Sequence, residues 1–248
     1  MTIKWKTAIS THKEGELYVR GYALADLIDK HSFTEAVFLL LAGKMPNEKE
    51  IKLLDAILVS CAEHGVEAPS AFSARVSIST GNSFHTALAA GILAIGEWHG
   101  GALEKAAEYL QSEKTPAHIV REVRKSGGRL AGLGHKIYKD KDPRAELLFV
   151  KANVLGFSGT YVERMHELQH ELEKQSGKKL PINIDGAIAA LISELGFDWR
   201  LGKAIFVLGR LPGMIAHAHE EMVHEKPYRR FSEEDVEYVG PEPKEKLI

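Results

Sequence analysis

The stretch Gly132-Leu133-Gly134-His135-Lys136-Ile137-Tyr138-Lys139-Asp140-Lys141-Asp142-Pro143-Arg144 holds the residue types best suited to chemistry. Two glycines let the backbone approach a ligand closely, because a residue without Cβ takes angles closed to others. His135 follows at once and offers an imidazole. Arg144 presents a planar fork of donors that matches a carboxylate. The order describes a loop that meets an anion, offers it a proton carrier and clamps it. Taken alone, the string also fits a Gly-rich connector before a surface helix.

Three further segments carry related chemistry. Glu97-Trp98-His99-Gly100-Gly101-Ala102 holds a second histidine backed by paired glycines. Pro181-Ile182-Asn183-Ile184-Asp185-Gly186 holds an acid after a mostly apolar run, and Gly209-Arg210-Leu211-Pro212-Gly213 holds another arginine. In isolation His99 fits a core histidine satisfied by backbone groups. Asp185 fits the N-cap of a helix running from Gly186, with Asn183 helping to close the turn. Such a cap would also orient the carboxylate. Arg210 lies in an apolar helical pattern, where a cation needs an anion, either an acid or a ligand. Arg75 is similarly placed, and structural and functional roles both stand open for it. His217, Glu221 and His224 fall at i, i+4 and i+7 on one helical face, a spacing that metal ligands use. The His-Glu-x-x-His pattern is absent, since the second histidine comes one residue late. A helix surface or interface accounts for the spacing better, and no metal site is expected.

The elements that must position these residues read as helices. Ser32-x-x-Glu35 is a capping box, and Phe33, Val37, Leu40 and Leu41 then share a face. Gly43 and Pro46 stop that helix. Ile51, Leu54, Leu58 and Cys61 repeat at helical spacing as far as Gly65. Residues 87–95 are apolar all round, as in a helix at the centre of a core. Tyr161, Met165, Leu168 and Leu172 stripe another helix, as do Ile188, Leu191, Ile192 and Leu195. Residues 203–219 read as a long helix that Pro212 bends or interrupts. Strand signals are confined to short alternations at 76–79 and 182–184. The fold class is all-α.

Composition narrows the class further. The chain has 248 residues, 44% hydrophobic and 27% charged, with a net charge of −2. That is ordinary for a globular protein and gives no reason to expect a nucleic-acid or anionic-membrane surface. Cys61 is the only cysteine, so no intrachain disulfide forms and a reducing compartment is expected. No apolar run approaches the ~20 residues of a membrane span. The start, Met1-Thr2-Ile3-Lys4-Trp5-Lys6, lacks the apolar core of a signal peptide, so the expected location is cytoplasmic.

In identity and order, the four segments together resemble the citrate synthase superfamily. Tyr18-Val19-Arg20-Gly21-Tyr22, Asp26-Leu27 and Phe33-Thr34-Glu35-Ala36 resemble its opening segment, so the likeness runs over nearly the whole chain. The resemblance implies a two-domain helical fold. Residues 1–101 and 196–248 would form a large, dimerising helical domain, and 102–195 a smaller inserted one, with the active site in a cleft that closes on substrate. It implies that Asp185 is the carboxylate that moves a proton at the acetyl carbon and His99 the neutral donor at the thioester oxygen. His135 would exchange a proton with the oxygen that becomes the citryl hydroxyl. Arg144, Arg210 and His64 match groups that hold the substrate's carboxylates. Arg229, with Arg230 in reserve, matches an arginine that the partner subunit supplies. Leu133, Gly134, Lys139 and Lys178 match positions that contact coenzyme A. No permanently bound cofactor and no metal are implied; the coenzyme A thioester is substrate.

A departure from the usual family form sharpens the reading. Full-length citrate synthases have a long helical stretch between the segments matching Gly43-Lys44-Met45-Pro46 and His64, and here that stretch is short. This compact form resembles citryl-CoA lyase and the C-terminal lyase module of ATP-citrate lyase, as do 183–186, 206–210 and 236–242. His99 pulls the other way, because the animal ATP-citrate lyase module lacks a histidine there. The reading is a citryl-CoA lyase that cleaves citryl-CoA to acetyl-CoA and oxaloacetate. Alternatives are a minimal citrate or alkylcitrate synthase and a non-catalytic oligomerising or regulatory subunit. Implied partners are a second copy of the chain, in a homodimer or higher homo-oligomer, and a citryl-CoA synthetase.

Overall fold

Side chains that reach back to the backbone set the helix starts. The computed structural model describes residues 4–242; residues 1–3, where the N-terminal reading above begins, and 243–248 lie outside the described residues. Ser32 opens α2 (Phe33–Ala42) with the expected capping box. Its Oγ accepts from Glu35 N at 3.2 Å, and Glu35 accepts from Ser32 N at 2.8 Å. Asn47 and Glu50 make a second box at the start of α3 (Glu48–Ala62), which the sequence reading passed over. Each cap contributes about 1 kcal/mol. Before α2 come α1 (Leu24–Lys30) and an antiparallel sheet of β1 (Ser10–Lys13), β2 (Glu16–Val19) and β3 (Tyr22–Ala23). Ser10 lies opposite Val19, and Tyr18 opposite Ala23.

The chain divides into two compact units, residues 1–64 with 95–212, and residues 65–94 with 213–248. At the centre of the first lies α10 (Ile184–Glu194), buried from Gly186 through Ser193. It packs on α6 (Ala102–Gln111), α8 (Pro143–Leu155), α9 (Thr160–Ser176) and α3, while α7 (Pro116–Lys125) lies on α9. The expected stripes become this core: Leu54, Met165, Leu168, Ile188, Leu191 and Ile192 are fully buried. Each such side chain contributes roughly 1.5–3 kcal/mol. Residues 102–195, read above as an inserted domain, belong to this unit; which segments move together stays a proposal.

The second unit contains α4 (Pro69–Ser79), α5 (Phe84–Leu93) and the later part of α11 (Gly202–His224). Ile78, Ala87 and Ala218 make its small core. Gly91 permits a close approach there, since a Cβ would stand 2.7 Å from Met214 Sδ and 2.8 Å from Ser70 O.

Two sequence expectations change and a third narrows. Residues 76–79 are not a strand but the last turn of α4, because a four-residue alternation is too short to oppose the helix around it. Residues 87–95 are not a central helix: in α5 only Ala87 and Gly91 are buried, and Leu93 is 85% exposed. An apolar helix looks the same in sequence whether its own chain covers every face or leaves one bare. Finally, of the two outcomes read at Pro212, interruption does not occur: α11 runs through it, since losing one ladder bond does not end a helix of 23 residues. Among the described residues, no helix is long and apolar enough to cross a membrane.

Candidate active site

The glycine loop is laced to the start of α10. Gly134 N donates to Pro181 O at 2.7 Å, Asn183 N to Gly132 O at 3.0 Å, and Asn183 Nδ2 to Gly134 O at 2.8 Å. Leu133 and Ile182 form an antiparallel bridge, all that remains of the alternation read at 182–184. Gly132 takes φ 83°, a region that favours glycine. Asn183 caps α10 with extended backbone angles, its Oδ1 accepting from Gly186 N at 3.1 Å. Asp185 is therefore not the cap but a residue of the first turn, and its carboxylate is left for the cavity beside it.

That cavity, of about 190 Å³, is lined by His64, His99, His135, Arg144, Asp185 and Arg210, with Ser60, Cys61, Trp98, Phe206 and Ile188 among the other walls. It is smaller than the roughly 300–1,000 Å³ of drug-sized sites and suits a small polyanion. Burial pushes the Asp185 carboxyl up to about 6, against the pull of Arg144 and Arg210 and with help from the Asp142 charge. Burial also lowers His99, and Arg210 and His64 add to that, so its imidazole is neutral at pH 7. The His99 ring stands edge-on to Phe206, centroids 5.9 Å apart. Gly100 makes room for this ring, since a Cβ there would meet Phe206 at 2.6 Å.

His135 Nδ1 accepts from the backbone N–H groups of Ile137 and Tyr138, at 3.1 Å each, which assigns the ring proton to Nε2. Arg144 Nη2 lies 3.3 Å from that Nε2, and Arg144 Nη1 lies 3.4 Å from His64 Nδ1. An N–H of His135 and one of Arg144 thus stand side by side, an arrangement that one oxygen anion would bridge. Asp142, fully buried, holds Arg144 in place. Burial alone would raise its carboxyl, but the Arg144 side chain and backbone N–H hold it below the ordinary value. Asp142 had no role in the sequence reading. The available signal was an Asp directly before a Pro at a helix start, the usual pattern of cap and first residue.

Arg210 is buried on α11, where its Nε donates to Cys61 O at 2.6 Å and its guanidinium stands 5.2 Å from the Phe206 ring centre. Burial lowers its pKa from the usual arginine range. Gly209 lets α11 come this close to α3, because a Cβ there would stand 2.7 Å from Cys61 Cβ and 2.9 Å from Leu58 O.

A second cleft, of about 650 Å³, begins where His135 also forms its wall. Leu133, Gly134 and Lys178 line it with Arg124, Arg129 and Lys136, over a floor of Val120, Leu130, Leu172 and Leu180; none of its lining residues is acidic. Lys139 is not in it, and its Nζ donates instead to Lys136 O at 2.8 Å. The sequence reading missed Arg124, Arg129 and Lys136, although a basic run around Gly127-Gly128 marked the first two.

The C-terminal arginines lie in the other unit. Arg229 donates to buried Glu221 through Nε at 2.9 Å and Nη2 at 2.6 Å. Arg75 Nε reaches the same carboxylate at 2.7 Å, which gives Arg75 a structural role. Burial would raise Glu221, and the two arginines instead lower it. Arg230 is exposed, 5.9 Å from the ring centre of Tyr228. His217 Nδ1 lies 3.9 Å from Glu220, and no cluster with metal-ligand geometry occurs among the described residues.

Comparison with known proteins adds four likenesses. The family described as "Citrate synthase, C-terminal domain" matches residues 2–52 and 47–231. A solved citryl-CoA lyase from Hydrogenobacter thermophilus is 46% identical, with 98% of this chain and 97% of that one covered and a TM-score of 0.90. ATP citrate lyase from Methanothrix soehngenii, solved with citrate and coenzyme A, is 28% identical over 97% of this chain and 42% of its own, with a TM-score of 0.80. Among curated sequences, citrate synthase of Haloferax volcanii is 32% identical over 211 residues, covering 81% of this chain and 55% of its own. This chain thus spans about half the length of such curated relatives.

Proposed function

The chain belongs to the citrate synthase superfamily, and from that membership we propose that it cleaves citryl-CoA to acetyl-CoA and oxaloacetate. The observation that carries the lyase reading is the 46% identity and TM-score of 0.90 to citryl-CoA lyase over nearly all of both chains. The short connection between Pro46 and His64, a single helix here, agrees with it.

Arg144, Arg210 and His64 hold the carboxylates of the citryl group. The carbinol oxygen lies between His135 Nε2 and Arg144 Nη2. It gives up its proton as the carbon–carbon bond breaks, and its charge collapses into the new keto group of oxaloacetate. His135 Nε2–H and the Arg144 guanidinium both donate to that oxygen and stabilise its negative charge as the proton leaves to solvent. The departing acetyl-CoA enolate rests its oxygen on neutral His99. An imidazole too basic to stay neutral would protonate it instead of sharing a hydrogen bond. Asp185, raised to about 6, then gives its proton to the terminal carbon. A desolvated carboxyl suits this step, since it holds a proton nearer neutral pH than an ordinary aspartate.

Coenzyme A lies in the second cleft, its phosphates against Arg124, Arg129, Lys136 and Lys178, and its thioester end reaches the reacting atoms past His135. Lys139 steadies the loop. The enzyme works as a cytoplasmic homodimer, with the bare apolar side of α5, including Leu93, and that of α11, including Ile215, against the partner. It takes its substrate from a citryl-CoA synthetase.

Citrate synthesis is the second reading, favoured by His99 and by the name of the Haloferax relative. Incubation with synthetic citryl-CoA, following oxaloacetate, is set beside incubation with acetyl-CoA plus oxaloacetate, following released thiol. Rapid oxaloacetate release in the first, with no thiol in the second, is expected. The reverse pattern makes the enzyme a synthase, and silence in both leaves the non-catalytic subunit.

A further inference from the structure

We propose that Asp142 is a positioning residue: a single buried carboxylate that sets both the orientation of the Arg144 guanidinium and the turn of α10 on which Asp185 rides. The proposal rests on the function proposed above. Asp142 Oδ1 accepts from Arg144 N at 3.0 Å and Arg144 Nε at 3.1 Å. Its Oδ2 accepts from Arg144 Nη2 at 3.0 Å and from Ile184 N at 3.1 Å. These four donors belong to the starts of two helices that are distant in sequence. A cap for α8 needs only the first.

The other three bonds do different work. The pair to Nε and Nη2 occupies one edge of the guanidinium. Nη1 and the remaining Nη2 proton are thereby turned toward His64 and His135. A substrate carboxylate then meets a fork whose rotation is already set. The bond to Ile184 N fixes the residue directly before Asp185, so the clamp and the proton carrier are registered against the same atom pair. Misplacement of such groups by about 1 Å can lower turnover ~10²-fold. The Asp142 charge also lies close enough to Asp185 to disfavour its ionisation.

Asn and Ser cap helices about as well as Asp, so a purely capping Asp142 tolerates either. A positioning Asp142 does not. An amide replaces one acceptor with a donor, which then opposes an N–H of Arg144 or Ile184. The test compares Asp142→Asn, Asp142→Ser and Asp142→Glu with wild type. In Asn and Ser variants, KM for citryl-CoA is expected to rise about tenfold and kcat to fall ~10²-fold. The Asp185 titration, followed by ¹³C NMR, should move down as the neighbouring charge is removed, and the slowly exchanging Arg144 Nε–H signal should be lost. Asp142→Glu keeps the charge, so its Asp185 titration should stay near wild type while KM rises. If the Asn and Ser variants fail to fold, the Glu variant decides through that split between titration and KM. Wild-type kinetics, Asp185 titration and Arg144 signal in the Asn or Ser variants would overturn the proposal. Should the wild-type protein turn over neither substrate set, the functional reading fails by itself. The two NMR signals still decide the positioning role.

Discussion

Gly132 and Gly186 pass so closely that neither can carry a side chain. A Cβ on Gly186 would stand 2.4 Å from Gly132 O, and one on Gly132 would stand 2.8 Å from Gly186 Cα. This crossing keeps the His135 loop against the helix of Asp185. Gly186→Ala should therefore push the loop away, lowering kcat ~10²-fold and stability by about 1–3 kcal/mol. Steady-state kinetics with a denaturant titration checks both, and an active Ala variant would mean that the crossing does not set the catalytic geometry.

Asp185→Asn should remove activity and add stability. General acid–base groups contribute ~10²–10⁴ in rate, and His99→Ala is expected to lose a comparable amount through the enolate. A carboxyl raised in the folded state stabilises that state in its protonated form. The contribution is full below the ordinary 3.8 and is lost as pH rises through about 6. At pH 8 the wild-type protein thus carries an unfavourable buried charge that the amide lacks, worth up to about 3 kcal/mol. Thermal unfolding of both proteins from pH 8 to 4 should show the variant ahead at pH 8 and the gap closing toward pH 4. A constant gap would contradict the assignment.

The two C-terminal arginines should separate by phenotype. Arg229→Ala leaves Glu221 still paired with Arg75 and should lower stability by roughly 1–3 kcal/mol, the range for losing hydrogen bonds to a charged group. Arg230→Ala should fold normally and lose turnover in a dimer whose sites draw on both chains. Mixing Arg230→Ala subunits with Asp185→Asn subunits should then restore part of the activity, because one site of each heterodimer escapes both lesions. No recovery after verified exchange would confine Arg230 to its own subunit or to no catalytic role.

Chelation should change nothing. The steps proposed use proton transfers and hydrogen bonds, and Glu221, the acid of the His217 face, is committed to two arginines. Exhaustive EDTA treatment followed by zinc addition tests this; activity lost and then restored would reassign that helix face.

Much of the helical core was legible because burial recurs at helical spacing in α9 and α10, and Ser32 and Glu35 announced a start. The N-terminal sheet was not, since β1 is exposed at every residue and shows no alternation of apolar and polar positions. His64, His99, His135, Arg144, Asp185 and Arg210 could be picked by residue type, and the cavity gathers all six. Asp142 could be read only as a cap before Pro143, because the residue it bonds on α10, Ile184, lies 42 positions away. Arg229 was chosen by its place near the C-terminus, and sequence gave no sign that Glu221 would engage it.

Cys61 is the chain's only thiol and forms part of the cavity wall, 2% exposed, with burial pushing it up to about 11. A thiol so placed reacts with a disulfide reagent only when α3 pulls away from its neighbours. Its labelling rate is therefore a clock for local opening of the site. Bound oxaloacetate should slow that clock while exposed backbone amides elsewhere exchange as before. The same silence lets released coenzyme A be counted in a thiol assay without blocking the protein first.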